Sequence, residues 1–269
     1  MHLSIIVVEY NSTIKNCIST LEFFQSIEII IIDNSTKKNN IKFLRGVEYK
    51  YIKNTKNNGF AKAANQGARV AKGEYVLFLN PDTIAKPKSI EKMLTFIKDK
   101  KNAAVVGCKV LNPDGTLQPS CGNFPTITNI LLDRIPIMNK IVRTQLIRQK
   151  NYYDTQQQPD WVSGVCFLAR KDVFQKLGGF NEEYFMYVED VDFCYRAKRA
   201  GYKIFYTPEA EVMHYDQGRN EERKLNKAKN MRKGFSLFFQ QHKTTLDFSL
   251  WQAVLTIESV FRLNLKQST

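Results

Sequence analysis

The sequence predicts a single α/β domain, in which helices flank a mostly parallel sheet. Short apolar, β-branched runs at residues 3–8, 28–32, 47–52, 74–79 and 103–111 have the length and composition of buried strands. Between the first two runs, apolar residues of the segment 13–26 recur at near-helical spacing. A strand, a helix and a second parallel strand place both strand ends at one edge of the sheet, where ligands of open α/β sheets bind.

Composition narrows the class of protein. The chain has 269 residues, of which 43% are hydrophobic, enough for a full core. Its five cysteines are odd in number and form no CxxC pair, so we expect neither a disulfide framework nor a zinc site. The first apolar run is too short for a signal peptide or a membrane span, and we therefore expect a cytoplasmic protein.

The strongly basic charge calls for an anionic partner. A formal net charge of +14 suits nucleic acid, a phosphate-bearing small molecule or an anionic membrane surface. The chain contains no RNP, KH, zinc-finger or basic-zipper pattern, so nucleic acid is the least favoured of the three.

An acidic cluster follows an aromatic stretch in the second half of the chain. Glu189, Asp190 and Asp192 are three carboxylates within four residues, and Tyr184, Phe185, Met186 and Tyr187 come shortly before them. An acidic cluster is usually a solvated turn. Here the aromatic residues would exclude water, and desolvation with mutual repulsion would raise at least one carboxyl pKa. The cluster is therefore a candidate for general-base chemistry.

Two further polar loops follow predicted strands. Gly59 opens either a turn into a helix whose amides face a phosphate, or an ordinary Asn-Gly turn. Asp82, after Asn80 and Pro81, is placed either to ligate a hard cation such as Mg²⁺ or Mn²⁺ or to cap the next helix. The residues alone leave both alternatives open.

The chain divides into two predicted parts. Residues 1–218 form the predicted catalytic domain, and within it the loosely patterned segment 118–160 is predicted to be a mobile insertion that closes over substrate. Residues 219–269 are predicted to be a basic, amphipathic helical extension. Its helices either pack on the domain or lie as an aromatic, basic surface on an anionic leaflet.

Motifs in a defined order carry a family resemblance over roughly the first 215 residues. They are Val7-Val8-Glu9-Tyr10-Asn11, Asp33-Asn34-Ser35, Asn58-Gly59-Phe60 with Asn65 and Gly67, Asn80-Pro81-Asp82, Gly164, Gly179-Phe180-Asn181-Glu182, Phe185-Met186-Tyr187, Glu189-Asp190-Val191-Asp192 with Arg196 and Gly201, and His214. The chain resembles the inverting glycosyltransferases of family 2, which have the GT-A fold, and within them the rhamnosyltransferase-like branch.

The resemblance implies a nucleotide-sugar donor site and a metal site. It implies that Asp33 hydrogen-bonds the base and that Val8, Tyr10 and Asn11 line the same pocket. It places Asn58, Gly59 and Asn80 beside the donor. It also implies that Asp82 and His214 hold a divalent ion, Mg²⁺ or Mn²⁺, at the leaving diphosphate, whereas His2 and His242 have no comparable context.

The resemblance also implies the chemistry. Asp190 would deprotonate the acceptor hydroxyl, with Glu189 as the alternative base, while Asp192 would pair with Arg196 or orient the loop. The expected reaction moves a sugar from dTDP-rhamnose, favoured over a UDP-sugar, to a cell-surface polysaccharide or lipid-linked acceptor at the inner face of the membrane. The competing hypotheses are a catalytically silent nucleotide-sugar-binding or glycan-binding relative and a basic nucleic-acid-binding protein.

Three residues depart from the family pattern. Asn80 stands where the metal motif usually begins with Asp, which leaves one charge fewer for the ion. Glu9 replaces a small hydroxyl residue and puts an acid near the expected nucleotide pocket. Asn181 replaces an aspartate, so any acceptor contact attributed to that carboxylate is in doubt.

Overall fold

A computed structural model describes residues 3–11, 17, 27–36, 48–133, 137, 145–215 and 221–267. The helix predicted over 13–26 lies outside these residues except for Cys17, which is helical and buried. Side chains are described up to residue 258, apart from those of residues 221–224.

Strands and helices alternate along most of the described chain. In order they are β1 (Leu3–Glu9), β2 (Glu28–Asp33), β3 (Tyr49–Lys53), α1 (Phe60–Val70), β4 (Tyr75–Leu79), β5 (Thr83–Ala85), α2 (Pro87–Asp99), β6 (Ala103–Leu111), β7 (Leu117–Gln118), β8 (Cys121–Gly122), α3 (Ile127–Asp133), a 3₁₀ helix (Lys150–Asp154), β9 (Trp161–Val162), β10 (Cys166–Arg170), α4 (Lys171–Lys176), α5 (Glu189–Arg199), β11 (Lys203–His214), α6 (Glu221–His242) and α7 (Thr245–Gln267).

The main sheet is mixed. Its strand order is β3-β2-β1-β4-β10-β6-β11-β5, with β7 paired to β6, and β8 and β9 form a separate ribbon. Strands β1 to β4 are mutually parallel, as are β6 and β11. Strand β10 runs antiparallel to both β4 and β6. The predicted α/β class is confirmed, and the parallel pairing is interrupted because β10 enters the sheet from the opposite end.

The direction of β10 determines what lies at the ligand edge. Cys166, the first residue of β10, is paired with Leu79, the last residue of β4. The residues before β10 therefore meet the residues after β4, and the backbone N–H of Asn80 donates to the carbonyl of Val165 at 3.0 Å.

Helices cover both faces of the sheet, which accounts for the unbroken apolar strands. Alternate residues of β1 and β2 belong to two separate buried clusters: Ile6 and Ile30 face one, Ile5 and Ile29 the other. The first cluster also contains side chains of α1, α5, α6 and α7, and the second contains the buried face of α2. Strands buried on both faces need apolar residues at every position rather than at alternate ones.

The segment 118–160 begins within the hairpin that β6 and β7 form by antiparallel pairing. Tyr153 is fully buried, and its hydroxyl donates to the carbonyl of Ile147 at 2.8 Å and accepts from the N–H of Ser120 at 3.1 Å. Residues 134–136 and 138–144 lie outside the described chain. Both described ends of the segment are thus anchored in the domain, and closure over substrate stays a prediction.

The C-terminal helices α6 and α7 bury their aromatic residues against the domain. Phe235, Phe238, Phe239 and Trp251 join the cluster that contains Phe193 of α5. Trp251 stacks on Phe239 with ring centroids 5.5 Å apart. These aromatic side chains therefore pack on the domain and present no surface to a leaflet. Among the described helices, none is both long and apolar enough to cross a membrane.

Replacing Trp251 by Ala is expected to destabilise the whole domain, because the indole is buried between two helices. Large-to-small changes of this kind cost about 3–5 kcal/mol. The measurement is the free energy of unfolding in urea. Leu250→Ala is the matched control. Leu250 immediately precedes Trp251 but is exposed, so its substitution should change the free energy of unfolding by no more than about 0.5 kcal/mol. Equal effects of the two substitutions would contradict the packing of α7.

Candidate active site

The ends of β1 and β2 lie side by side at the ligand edge. Glu9 is paired with Asp33 in parallel register, so the loops that follow begin together. Val8 is buried, Tyr10 is 47% exposed, and the N–H of Asn11 donates to Ser35 Oγ at 2.9 Å. The structure thus brings the residues predicted to line the nucleotide pocket, at and just after the end of β1, next to Asp33.

Asp33 is fully buried beneath two residues of β3. Its Oδ2 accepts from the Tyr51 hydroxyl at 2.6 Å and from Lys53 Nζ at 2.9 Å, and its Oδ1 accepts from the N–H of Ser35 at 2.7 Å. Burial alone would raise the pKa of Asp33, but these hydrogen bonds outweigh it, and the pKa is lowered. Asp33 is therefore an ionised carboxylate whose partners Tyr51 and Lys53 are the more exposed groups.

Sequence reasoning missed Tyr51 and Lys53. Their spacing of two residues on a strand places them on one face, which is the signal that was available. Because β3 pairs with β2 so that Lys53 is opposite Asp33, that face lies over the buried carboxylate.

Gly59 begins α1 with a φ of +80°. Of the two alternatives for Gly59, the structure shows the turn into a helix, and the first helical amide, Phe60 N–H, donates to the carbonyl of Phe185 at 2.7 Å. A Cβ at Gly59 would collide with that same carbonyl, so glycine is required both by its φ and by this approach. The side-chain amide of Asn34 donates to the carbonyl of Gly59 at 2.9 Å, and Asn58 is half-buried beside it.

Asp82 and His214 meet because β5 pairs with β11. In that pairing Thr83 is opposite His214, and Asp82 Oδ1 lies 3.2 Å from His214 Nε2. His214 Nδ1 lies 2.9 Å from Gln118 Oε1, so with Nδ1 protonated the Nε2 lone pair faces Asp82. Sequence reasoning missed Gln118, whose position depends on the hairpin of β6 and β7.

This pair fits a divalent ion. Two ligands at right angles on an octahedral ion with bonds of about 2.1 Å lie about 3 Å apart, close to the separation of Asp82 and His214. Gln118 holds the imidazole as outer-shell partners of metal-ligating histidines do. Among the described residues, no group of three or more His, Cys, Asp or Glu side chains is arranged as an ion site. Water and donor phosphate would complete the coordination of a Mg²⁺-like ion.

Asp190 lies in the first turn of α5 and reaches the ligand edge through Gly164. Its Oδ2 accepts from the N–H of Gly164 at 2.8 Å, and its Oδ1 accepts from the N–H of Val191 at 2.8 Å. Gly164 precedes the Val165 carbonyl that binds Asn80. Desolvation raises the pKa of Asp190, while these amide hydrogen bonds oppose the shift. A half-buried carboxylate with a raised pKa is suited to accept a proton.

Glu189 differs from Asp190 in its surroundings. It is 5% exposed, and within the described part of the chain its Oε2 has no hydrogen-bond partner. Desolvation and then the neighbouring Asp190 raise its pKa well above the usual range. Because amide donors favour the anion of Asp190, negative charge is better accommodated on Asp190 than on Glu189.

Asp192 pairs with Arg196, the first of the two roles expected for it. Arg196 Nε donates to Asp192 Oδ2 at 2.8 Å, and the guanidinium also donates to the carbonyls of Leu177 and Gly179. The other oxygen of Asp192 lies 2.6 Å from Nε2 of His242, the last residue of α6. The sequence offered no context for His242, because this contact joins residues fifty positions apart.

The residues just before Glu189 are strained. Tyr187 and Val188 have φ values of +70° and +73°, and a β-branched residue rarely adopts this left-handed conformation. Such a conformation costs of the order of 1–3 kcal/mol per residue and persists only where the surroundings impose it. Here Val188 is buried, and its side chain lies against Gly234 of α6.

Comparison with known proteins identifies the family of the chain. A family model described as Glycosyl transferase family 2 matches residues 4–178, well over half of the chain. The chain belongs to glycosyl transferase family 2. The resemblance carried by the motifs is thereby confirmed.

Several curated relatives of this family 2 member are rhamnosyltransferases by name. The N-acetylglucosaminyl-diphospho-decaprenol L-rhamnosyltransferase of Mycobacterium tuberculosis is 33% identical over 144 residues, 53% of this chain and 47% of the relative. Rhamnosyltransferase WbbL of Escherichia coli is 32% identical over 161 residues, 59% of each chain. The matches thus span about half to three fifths of these relatives' length.

Solved structures share the fold. GalNAc-T7 with UDP, GalNAc and Mn²⁺ has a TM-score of 0.61 at 17% identity, covering 89% of this chain and 48% of that one. The mannosyltransferase PcManGT from Pyrobaculum calidifontis, in complex with GDP-Man and Mn²⁺, has a TM-score of 0.61 at 14% identity, covering 92% and 66%. The GT-A fold predicted for this family 2 member is confirmed.

The substitution Glu189→Gln tests the raised pKa of Glu189 through the pH dependence of the protein's stability. Between the unfolded-state pKa of about 4.3 and the raised folded-state pKa, Glu189 ionises only in the unfolded chain, so wild-type stability falls as pH rises. The slope is at most about 1.4 kcal/mol per pH unit. The Gln variant cannot ionise at this position, so it does not lose stability in this way as pH rises. Its stability relative to wild type should therefore rise with pH until the folded-state pKa is passed.

Urea unfolding from pH 4 to pH 8 measures that difference. Glu183→Gln is the matched control, since Glu183 is exposed in the same segment. A Glu189→Gln difference that stays constant across this range would contradict the raised pKa of Glu189.

Proposed function

We propose that the protein is an inverting glycosyltransferase that moves a sugar from a nucleotide-diphosphate donor to an acceptor hydroxyl, with Asp190 as the general base. The observation that carries this proposal is the Gly164 hydrogen bond, which holds the Asp190 carboxylate at the sheet edge where β1, β2 and β4 end. Membership of glycosyl transferase family 2 supports the reaction class.

The reaction needs one proton acceptor and one leaving group. The acceptor oxygen forms a bond to the anomeric carbon while the bond from that carbon to the diphosphate oxygen breaks, and Asp190 takes the hydroxyl proton. The nucleoside diphosphate leaves with the bonding electrons. Attack opposite the leaving group inverts the anomeric configuration. Both oxygens of Asp190 already accept amide hydrogen bonds, and these orient the carboxylate and leave its remaining lone pairs for the proton.

On the donor side, Asp82 and His214 would hold a divalent ion, Mg²⁺ or Mn²⁺, with Gln118 orienting His214. When bound, such an ion neutralises charge on the leaving diphosphate. The pairing of β5 with β11 keeps the two side chains facing each other. Val8, Tyr10, Asn11, Asn58, Gly59 and Asn80 would line the nucleotide site. Asp33 would act there through Tyr51 and Lys53, because these two residues occupy Oδ2 of its buried carboxylate.

The proposed donor is dTDP-rhamnose, with a UDP-sugar as the alternative. The support is the names of two relatives, both rhamnosyltransferases. One of those names includes a diphospho-decaprenol group, which supports a lipid-linked acceptor or a growing polysaccharide for this chain as well.

We further propose that the C-terminal extension binds the inner, anionic face of a membrane. Residues 219–269 contain ten Lys or Arg and four Asp or Glu. On α7, Leu246, Leu250 and Ile257 are 69%, 46% and 56% exposed, and their spacing of four and seven places them on one helix face. We call these three residues the α7 stripe. A basic helical surface with an exposed apolar stripe is typical of interfacial binding.

Asp190→Asn is expected to lower the rate of sugar transfer by about 10²–10⁴-fold, the usual contribution of general-base catalysis. Donor binding should persist, because Asp190 belongs to the acceptor side. The measurements are transfer with Mn²⁺ and the thermal shift caused by each candidate nucleotide sugar, since a ligand of the native state raises its melting temperature.

Asp172→Asn, an exposed aspartate on α4, is the matched control and should retain both properties. Near-wild-type transfer by the Asp190 variant would remove Asp190 from the role of base. A wild-type protein that binds a nucleotide sugar without metal-dependent turnover would favour the silent relative instead.

Substituting all three residues of the α7 stripe by Gln should abolish binding to vesicles that contain phosphatidylglycerol, because interfacial affinity scales with the buried apolar area. Co-sedimentation at two salt concentrations measures this. Leu225→Gln is the control, since Leu225 is equally exposed on α6 but outside the stripe. Unchanged sedimentation of the triple variant would refute the membrane surface.

A further inference from the structure

We propose that His242 is a positioning residue for the catalytic acids. From the end of α6 it hydrogen-bonds Asp192, and through Asp192 it fixes the position of the first turn of α5. The inference rests on the proposed function, because the acids concerned are Glu189 and Asp190. It assigns the C-terminal extension a part in catalysis as well as in any membrane contact.

The contact between the two residues is short and buried. His242 Nε2 lies 2.6 Å from Asp192 Oδ1, and the Asp192 side chain is fully buried. An ionised carboxylate only accepts hydrogen bonds, so Nε2 carries the proton and donates. Arg196 occupies the other oxygen of Asp192. Both oxygens thus have a donor, and the carboxylate cannot rotate without losing one.

The imidazole is itself held in place. Its ring lies 4.6 Å from the Tyr195 ring and 5.0 Å from the Phe238 ring, centroid to centroid. The Tyr195 hydroxyl also donates to the backbone carbonyl of His242 at 3.3 Å. Side chains of α5 and α6 therefore hold both the ring and the backbone of His242, as a positioning role requires.

The start of α5 needs support from outside the helix. Tyr187 and Val188 have the strained left-handed conformation described above, and the helix begins directly after them. The N–H of Asp192 donates to the carbonyl of Val188 at 2.9 Å, so Asp192 closes this first turn. Asp190 lies within the same turn, and a shift of Asp192 is passed to it directly.

Helix α6 touches this start at two points. A Cβ at Gly234 would come within 2.8 Å of Val188 Cγ2 and 3.0 Å of the Tyr187 carbonyl, so the backbone of α6 lies directly on the strained pair. His242 makes the second contact eight residues later, about 12 Å along the helix. The two contacts fix the position of the first turn of α5 relative to α6.

The role goes beyond holding the fold together because Asp192 has a second partner, the guanidinium of Arg196. Without His242, Arg196 still neutralises Asp192 and still binds the carbonyls of Leu177 and Gly179. The buried charge keeps a partner, so the fold persists. The carboxylate loses its donor on one side and is free to turn toward Arg196, which moves the turn that carries Asp190.

Two substitutions at His242 separate these effects. His242→Leu keeps apolar packing against Tyr195 and Phe238 but removes the donor, whereas His242→Gln keeps an N–H at similar reach. Gln240→Ala, an exposed neighbour on α6, is the matched control. We expect the Leu variant to lose about 10- to 100-fold in kcat with little change in donor KM, because small misplacement of a catalytic group has effects of this size. The Gln variant should recover most of kcat.

Hydrogen exchange followed by mass spectrometry gives a readout that is independent of turnover. The N–H of Gly164 is protected by Asp190 Oδ2, so its peptide should exchange faster in the Leu variant and regain protection in the Gln variant, while peptides of β1 and β4 stay unchanged. A Leu variant with a lower melting temperature but wild-type kcat and Gly164 protection would overturn the proposal. If wild-type protein transfers no sugar, the proposed function fails, and exchange at Gly164 still decides whether His242 positions Asp190.

Discussion

The antiparallel pairing of β10 with β4 is the constraint on which the site depends. In a fully parallel sheet, the residues before a strand would lie at the edge opposite the ligand. Because β10 runs the other way, Gly164 and Val165 lie beside Asn80. One short peptide segment therefore binds Asn80 through the Val165 carbonyl and Asp190 through the Gly164 amide. Displacing this segment would move both residues together.

Three acids of the site, Glu189, Asp190 and Asp33, differ in their surroundings. Glu189 is buried and its Oε2 lacks a partner in the described chain, Asp190 is half-buried with two amide donors, and Asp33 is buried under stronger donors. Burial without hydrogen bonds favours the protonated form, and hydrogen bonds favour the anion. The same functional group is thus suited to holding a proton, accepting one in the reaction or remaining an anion. Such divergence of environment is how acid and base roles are divided in enzyme sites.

The local sequence pattern predicted much of the fold but only some of the residues of the candidate site. Apolar runs predicted the strands, because strands buried on both faces need continuous apolar residues. The pairing of Asp192 with Arg196 was one of two roles expected for Asp192 from the family resemblance. The direction of β10 was beyond prediction, since strand patterns carry no polarity. The partners Tyr51, Gln118 and His242 come from elements that meet only in the folded chain. The expectation that Asp82 and His214 lie together came from the family resemblance, and the structure brings the two side chains within 3.2 Å.

The contact of Gly234 with Val188 limits where a chimaera of two homologous proteins can be joined. Composition suggests a joint near residue 218, where the basic extension begins, and a chimaera would naturally be cut there. Yet Gly234 lies against Val188 and the carbonyl of Tyr187, so a grafted extension with a larger residue at this position would collide with the loop before α5. A chimaera should therefore take the loop before α5 and the helix α6 from the same parent. Its crossover should lie upstream of Tyr184 rather than near residue 218, where the composition changes.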